Sequence, residues 1–203
     1  MGGSGRRSAV KLAASISDAQ LFTIEVTKAY GVNEWREDIK KLLLSAGINS
    51  KPVVFLFSDA QAKEEAFVED INSMLNTGEL PNLFQSDEKA TILEKMQEVA
   101  KSLGRVVEMT TIAMYGLFIE RVRESLHIAL AFSPISNSFK KRIRIYPSLV
   151  NCCTIDWYTA WPEDALHKVA EYFIKSMELP GSDDSFSITS LATTGSSEND
   201  EVK

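Results

Sequence analysis

Two short stretches of the chain are strongly apolar, Pro52 to Phe57 without a break and Leu126 to Phe132 with one polar residue, His127. Both have strand length, and apolarity that does not alternate implies strands buried on both faces, as in a parallel sheet covered by helices. Leu21 to Val26 instead alternates apolar and polar residues, which suits a half-buried strand. Helical spacing fills the intervals. Asn33 reads as the cap of a helix whose apolar stripe is Trp35, Ile39, Leu42 and Leu43, ended by Gly47. Further helices are predicted from Arg7 to Ser15, from Glu64 to Asn76 with a turn at Thr77-Gly78, and from Asp87 to about Leu103, where Gly104 stops it. Three more run from Thr110 to Glu124, from Asn137 to Arg144, and from Glu163 to Met177 behind Pro162. The charged end Glu120 to Glu124 reads as a solvated face, and Trp157, Trp161 and Phe173 as packing. Strands alternating with helices predict an α/β fold with a mainly parallel sheet.

Beyond Pro180 the pattern fails. Nine of the last 24 residues are Ser or Thr, and five acids there (Asp183, Asp184, Glu198, Asp200, Glu201) face a single base, Lys203. The expected organisation is therefore one module over 1–179 and a disordered acidic tail over 180–203. That tail holds −4 of the formal charge of −6, so the module carries only −2 and lacks the broad basic face that nucleic acid requires. No apolar run approaches the roughly 20 residues that cross a bilayer, so no membrane partner is expected. The two cysteines, Cys152 and Cys153, are adjacent and read as reduced and mostly buried.

The candidate chemistry starts at the first residues. Gly2-Gly3-Ser4-Gly5-Arg6-Arg7-Ser8 has the composition of the back half of a phosphate-binding loop, Gly-x-x-x-x-Gly-Lys-Ser/Thr, whose glycines let backbone N–H groups close on phosphate oxygens at a helix start. A Gly/Ser/Arg-rich leader has the same composition. If Gly5 is the second motif glycine, the first glycine and the strand feeding the loop would precede Met1. Arg6 then takes the lysine position and Arg7 the position of the Mg²⁺-binding hydroxyl, with Ser8 one place late. A phosphate-handling site also needs an acid at the end of a neighbouring buried strand, and Asp59 closes Val53 to Ser58. Only one carboxylate is there. Asp59 is either the metal acid with Ala60 in the base's place, or the base with Ser58 in the metal acid's place, and either register weakens hydrolysis. The alternative is a strand-ending Asp that caps the next turn. Ser133, at the end of the third strand, would lie between loop and acid, where a polar side chain senses a γ-phosphate. The run Lys140 to Arg144 offers Arg142 or Arg144 for bidentate contact with a phosphate held by a neighbouring module, or else is a solvated helix end.

These segments, with Tyr30 to Lys40, Val54 to Gln61, Glu69 to Asn72, Gly78 to Phe84, Phe118 to Arg123 and Tyr146 to Trp157, resemble the fourth AAA+ module of the dynein heavy-chain motor, the axonemal branch above all. The resemblance spans roughly residues 2–179. It implies a P-loop NTPase three-layer sandwich lacking the strand before the P-loop. It also implies a regulatory, ATP- or ADP-binding segment of a six-module ring that drives microtubule-based movement. By resemblance Gly2, Gly3, Ser4, Gly5, Arg6, Arg7 and Ser8 wrap phosphates, Asp59 is the acid for Mg²⁺ and catalysis, Ser133 the sensor, and Arg142 or Arg144 the inter-module arginine. The implied partners are the other AAA+ modules of the same heavy chain, dynein intermediate and light chains, and microtubules, in the cytoplasm and the cytoskeleton of the ciliary axoneme. The departures, Arg6 for lysine and Arg7 for a hydroxyl, imply a poor ATPase. The alternative is a ring spacer that binds no nucleotide.

Overall fold

The computed structural model describes residues 4–48, 51–102 and 110–176. The chain divides into two compact units between Thr159 and Ala160. The expected 179/180 boundary and the tail lie outside the described residues, as do Gly104, Gly2 and Gly3.

In the first unit the order is α1 (Arg6–Ile16), β1 (Gln20–Thr23), α2 (Val32–Ile48), β2 (Val53–Ser58), α3 (Glu65–Thr77), α4 (Ser86–Ser102), α5 (Thr111–Ser125), β3 (Leu126–Ala131), α6 (Asn137–Ile145) and α7 (Ser148–Asn151). The three strands form one parallel sheet in the order β1-β2-β3, with Phe22 opposite Phe55 and Phe55 opposite Ile128. Every strand-to-strand link passes through helix, as a parallel sheet requires. The sequence-predicted α/β class is the observed one.

β2 is the central strand, and its continuous apolarity matches its burial. Successive side chains of a strand point to opposite faces. Phe55 and Phe57 meet Trp35 of α2 with ring centroids at 6.3 and 5.5 Å, and Trp35 stacks on Phe67 of α3 at 4.6 Å. The indole N–H of Trp35 donates to Asp70 Oδ2 at 2.8 Å, so the one polar atom of this buried ring is satisfied. Leu56 points to the other face and is equally buried, on the side where α1 contributes Ala14.

Several expectations are corrected. β3 is only half-buried rather than buried on both faces, because it is an edge strand with one long side unpaired among the described residues. α2 begins at Val32, not after Asn33; the Glu34 carboxylate accepts the Gly31 N–H at 3.0 Å and so closes its first turn. Gly47 is the penultimate residue of α2, still helical, and is needed for close approach, since a Cβ there would stand 2.3 Å from the Phe118 ring of α5. Gly78, by contrast, is the left-handed cap of α3, with φ 79°. Arg121 leaves the solvated face assigned to it: its Nε–H donates to Gly47 O at 2.8 Å, satisfying a terminal carbonyl of α2. Cys152 is exposed and Cys153 half-buried, both free thiols, and burial raises the thiol pKa of Cys153. Trp157 is 73% exposed, so it packs no core within this unit.

The second unit contributes one described helix, α8 (Glu163–Ser176), on which Leu166, Tyr172, Phe173 and Ile174 are exposed. Among the described residues no helix is long and apolar enough to cross a membrane.

Candidate phosphate-binding site

α1 starts at a glycine that the geometry demands. Gly5 is the N-cap with φ 77° and ψ −4°, a left-handed conformation that strains any residue carrying a Cβ, and its carbonyl accepts the Ala9 N–H at 2.9 Å. The first-turn N–H groups of a helix have no intrahelical acceptor, and the dipole adds partial positive charge there. α1 has no acidic residue in its own first turn to answer that charge. Arg6 is half-buried, whereas Arg7 and Ser8 are exposed. Ser4 is half-buried and engaged in an interaction of its own.

Asp59 follows β2 in a tight turn. Gln61 N–H donates to Ser58 O at 2.9 Å and Ala62 N–H to Asp59 O at 3.2 Å. The Gln61 side chain locks this turn. Its Oε1 accepts the Ser58 N–H at 2.7 Å and the Ser58 hydroxyl at 2.9 Å, and its amide donates to Ile24 O at 2.6 Å, beyond the end of β1. Nothing in the pattern of the sequence separates Gln61 from an ordinary turn residue; its role depends on β1 and β2 being neighbours. So fixed, Asp59 Oδ2 accepts the Ser133 N–H at 2.5 Å and lies 3.8 Å from the Arg6 guanidinium.

The fold explains the meeting. β2 and β3 are parallel and in register, so the loops that leave them emerge at the same sheet edge, and ligand crevices of open α/β sheets lie outside the carboxyl ends of strands. Ser133 joins through its backbone amide, not through the hydroxyl on which the sequence reading relied. The Arg6–Asp59 pair is long and about a quarter to a third accessible on each side chain, so water screens it and it contributes at most about 1 kcal/mol.

The two candidate inter-module arginines separate cleanly. Arg142 is buried and turned into its own module, donating to Ala62 O at 3.2 Å and to Glu65 Oε1 at 3.3 Å, with its Nε–H unpaired. Arg144 is exposed two residues on. Of the pair, only Arg144 is free in geometry to face another module. A groove of about 670 Å³ is lined by Leu126 to Phe132, by Ile143 and Leu149, and by Arg6.

Residues 1–200 match the family model described as the P-loop containing dynein motor region D4. The chain is 53% identical over 179 residues to the human dynein axonemal heavy chain 3, covering 88% of this chain. It is 46% identical over 179 residues to the dynein-1-beta heavy chain of the flagellar inner arm I1 complex of Chlamydomonas reinhardtii. It is 45% identical over 177 residues to the human dynein axonemal heavy chain 1. In each case the chain spans only 4% of the relative's length. The helix start at Gly5, the acid after the central strand and these matches agree: the chain belongs to the P-loop-containing dynein motor region D4 family.

Proposed function

We propose that this chain is a nucleotide-binding, regulatory AAA+ segment of an axonemal-type dynein heavy chain, contributing to ATP-driven movement along microtubules in cilia. The observation that carries the proposal is the convergence of Arg6, Asp59 and the Ser133 amide at the N-terminus of α1. In this reading the first-turn amides of α1 and the Arg6 guanidinium hold the phosphates of ATP or ADP. Arg6 suits that task as a bidentate, permanently charged donor. Asp59 faces the phosphates and, through the Ser133 amide, couples their presence to the loop after β3. Arg144 is offered outward to the nucleotide of an adjoining module, while Arg142 holds α6 against the turn at Ala62.

Hydrolysis in this segment is weak. A general base contributes on the order of 10²–10⁴-fold to such a reaction, and the residue after Asp59 is Ala60, which has no proton acceptor. The segment therefore senses which nucleotide is bound more than it turns it over, and motor work belongs to an assembled ring of modules with its intermediate and light chains.

Titration calorimetry with ADP and ATP, on this chain and on Gly5→Val, tests the proposal. Val cannot adopt the left-handed cap without strain, so it should remove nucleotide affinity while far-UV circular dichroism stays unchanged. A ring spacer without ligand is the second reading. It is favoured by the ion pair, in which Arg6 and Asp59 answer each other's charge. A spacer has no nucleotide affinity for Gly5→Val to remove.

A further inference from the structure

Modules of this family generally use a nucleotide together with Mg²⁺. Mg²⁺ demands octahedral oxygen coordination, and in a P-loop site the protein's share comes from a loop hydroxyl and a strand-end carboxylate. The residues of this chain do not fit it. The hydroxyl position is Arg7, an exposed cation. Ser8 follows one residue later in the helix, about 100° further round the axis, so its hydroxyl is directed away from that position. One carboxylate is at hand, Asp59, and its Oδ2 already accepts the Ser133 N–H at 2.5 Å and faces Arg6 at 3.8 Å. Ala60 supplies no second acid, and among the described residues no group of three or more Asp, Glu, His or Cys side chains could hold a metal ion.

What stands beside the acid is a guanidinium. We infer that Arg6 takes the electrostatic place of the divalent cation, so that this site binds a nucleoside diphosphate without metal. The inference rests on the nucleotide reading of the same site. Three features support it together. Arg6 stands at the helix start, its partner Asp59 is the acid that a metal would otherwise use, and the lost hydroxyl is replaced by a second positive charge. A metal-bound nucleotide would bring its own cation toward two guanidinium groups, whereas the metal-free diphosphate keeps its full negative charge for them.

Two measurements on the 203-residue chain test this, one of which needs no nucleotide. ADP affinity is measured by calorimetry in excess EDTA and again in millimolar MgCl₂. The expected result is binding in EDTA equal to or tighter than in MgCl₂, to within about twofold, and any loss in EDTA greater than about twofold overturns the inference. Separately, Mn²⁺ is titrated into the nucleotide-free chain and followed by electron paramagnetic resonance, with Asp59→Asn as control. No bound Mn²⁺ that depends on Asp59 is expected; a submillimolar site abolished by Asp59→Asn overturns the inference. If ADP binds in neither buffer, the nucleotide reading falls, and the Mn²⁺ titration still decides whether Asp59 holds a metal. The double substitution Arg6→Lys with Arg7→Ser restores a lysine and a hydroxyl, and should make ADP affinity fall at least about tenfold on removal of Mg²⁺.

Discussion

Asp59 Oδ2 accepts the backbone N–H of Ser133 at 2.5 Å, across 74 residues of sequence. The bond joins the loops that leave two adjacent parallel strands, beside the start of α1, and so ties those loops together. Arg6, 3.8 Å away on the same carboxylate, is the looser member. A ligand that displaces it need not disturb the tie between the loops.

That difference can be measured as stability. Asp59→Ala strands the Ser133 N–H and should cost about 1–2 kcal/mol in urea unfolding, the usual cost of an unsatisfied partner. Asp59→Asn keeps an acceptor oxygen and should cost about half as much or less. Equal losses would mean that charge attraction to Arg6, rather than the hydrogen bond, carries the effect.

Gly47→Ala sets two effects against each other. In an exposed helix interior the change gains roughly 0.5–1 kcal/mol from propensity. Here the new methyl group meets Phe118 Cε2 at 2.3 Å and Cδ2 at 2.5 Å, inside the core. Overpacking costs about 1–3 kcal/mol, so net destabilisation of about 1–2 kcal/mol is expected. Pairing the change with Phe118→Leu should make the two losses less than additive. Stabilisation by Gly47→Ala alone would show that α2 and α5 do not approach as described.

Arg142 and Arg144 should behave oppositely. Arg142→Ala removes two hydrogen bonds and a buried stem, and is expected to lower stability by about 2–3 kcal/mol. Arg144→Ala, on the exposed side of α6, should stay within about 0.5 kcal/mol. Urea midpoints of the two variants decide this. Equal, small effects would return Arg142 to the pool of outward-facing cations.

Alkaline pH probes the packing of Tyr115. Burial, followed by the nearby charge of Glu79, pushes its hydroxyl up from 10.0 to about 12. Tyr30 is raised further, by burial and then by the hydrogen bond it donates to Asp38 at 2.8 Å. Both groups bind their proton more tightly in the folded chain than in the unfolded one. The stability this confers is complete below the unfolded value of about 10 and is lost as pH rises through the folded values. Tyr115→Phe cannot ionise. It should be no more stable than the parent at about pH 8, and the gap should close or reverse by about pH 11.5 in urea unfolding. A gap constant across that range would mean the hydroxyl is not buried.

What the sequence disclosed follows from which forces are local. The unbroken apolar run of β2 and the Trp35, Ile39, Leu42, Leu43 stripe of α2 are local patterns, and the folded chain buries all of these apolar residues except Val54, which is partly exposed. β3 misled because its composition is as apolar as that of β2, and only strand order reveals it as an edge. Gly47 has the signature of a helix stop, but its reason is Phe118, 71 positions on and invisible to a local pattern. Arg121 and Arg142 lie in charge runs that look solvated; each is drawn inward by a carbonyl from a distant element. In the site, the loop glycine and the strand-end acid were each legible by residue type. Gln61 was not, because its side chain serves backbone groups that only the assembled sheet brings near.

The central claim is that phosphates of a nucleotide lie against the start of α1, facing Asp59. Amide chemical-shift mapping of the ¹⁵N-labelled chain during ADP addition tests it most directly. The account predicts saturable shifts concentrated at Gly5 to Ser8, Asp59 and Ser133, and their disappearance in Gly5→Val. An unchanged spectrum at millimolar ADP, or shifts confined to residues away from that sheet edge, would contradict it.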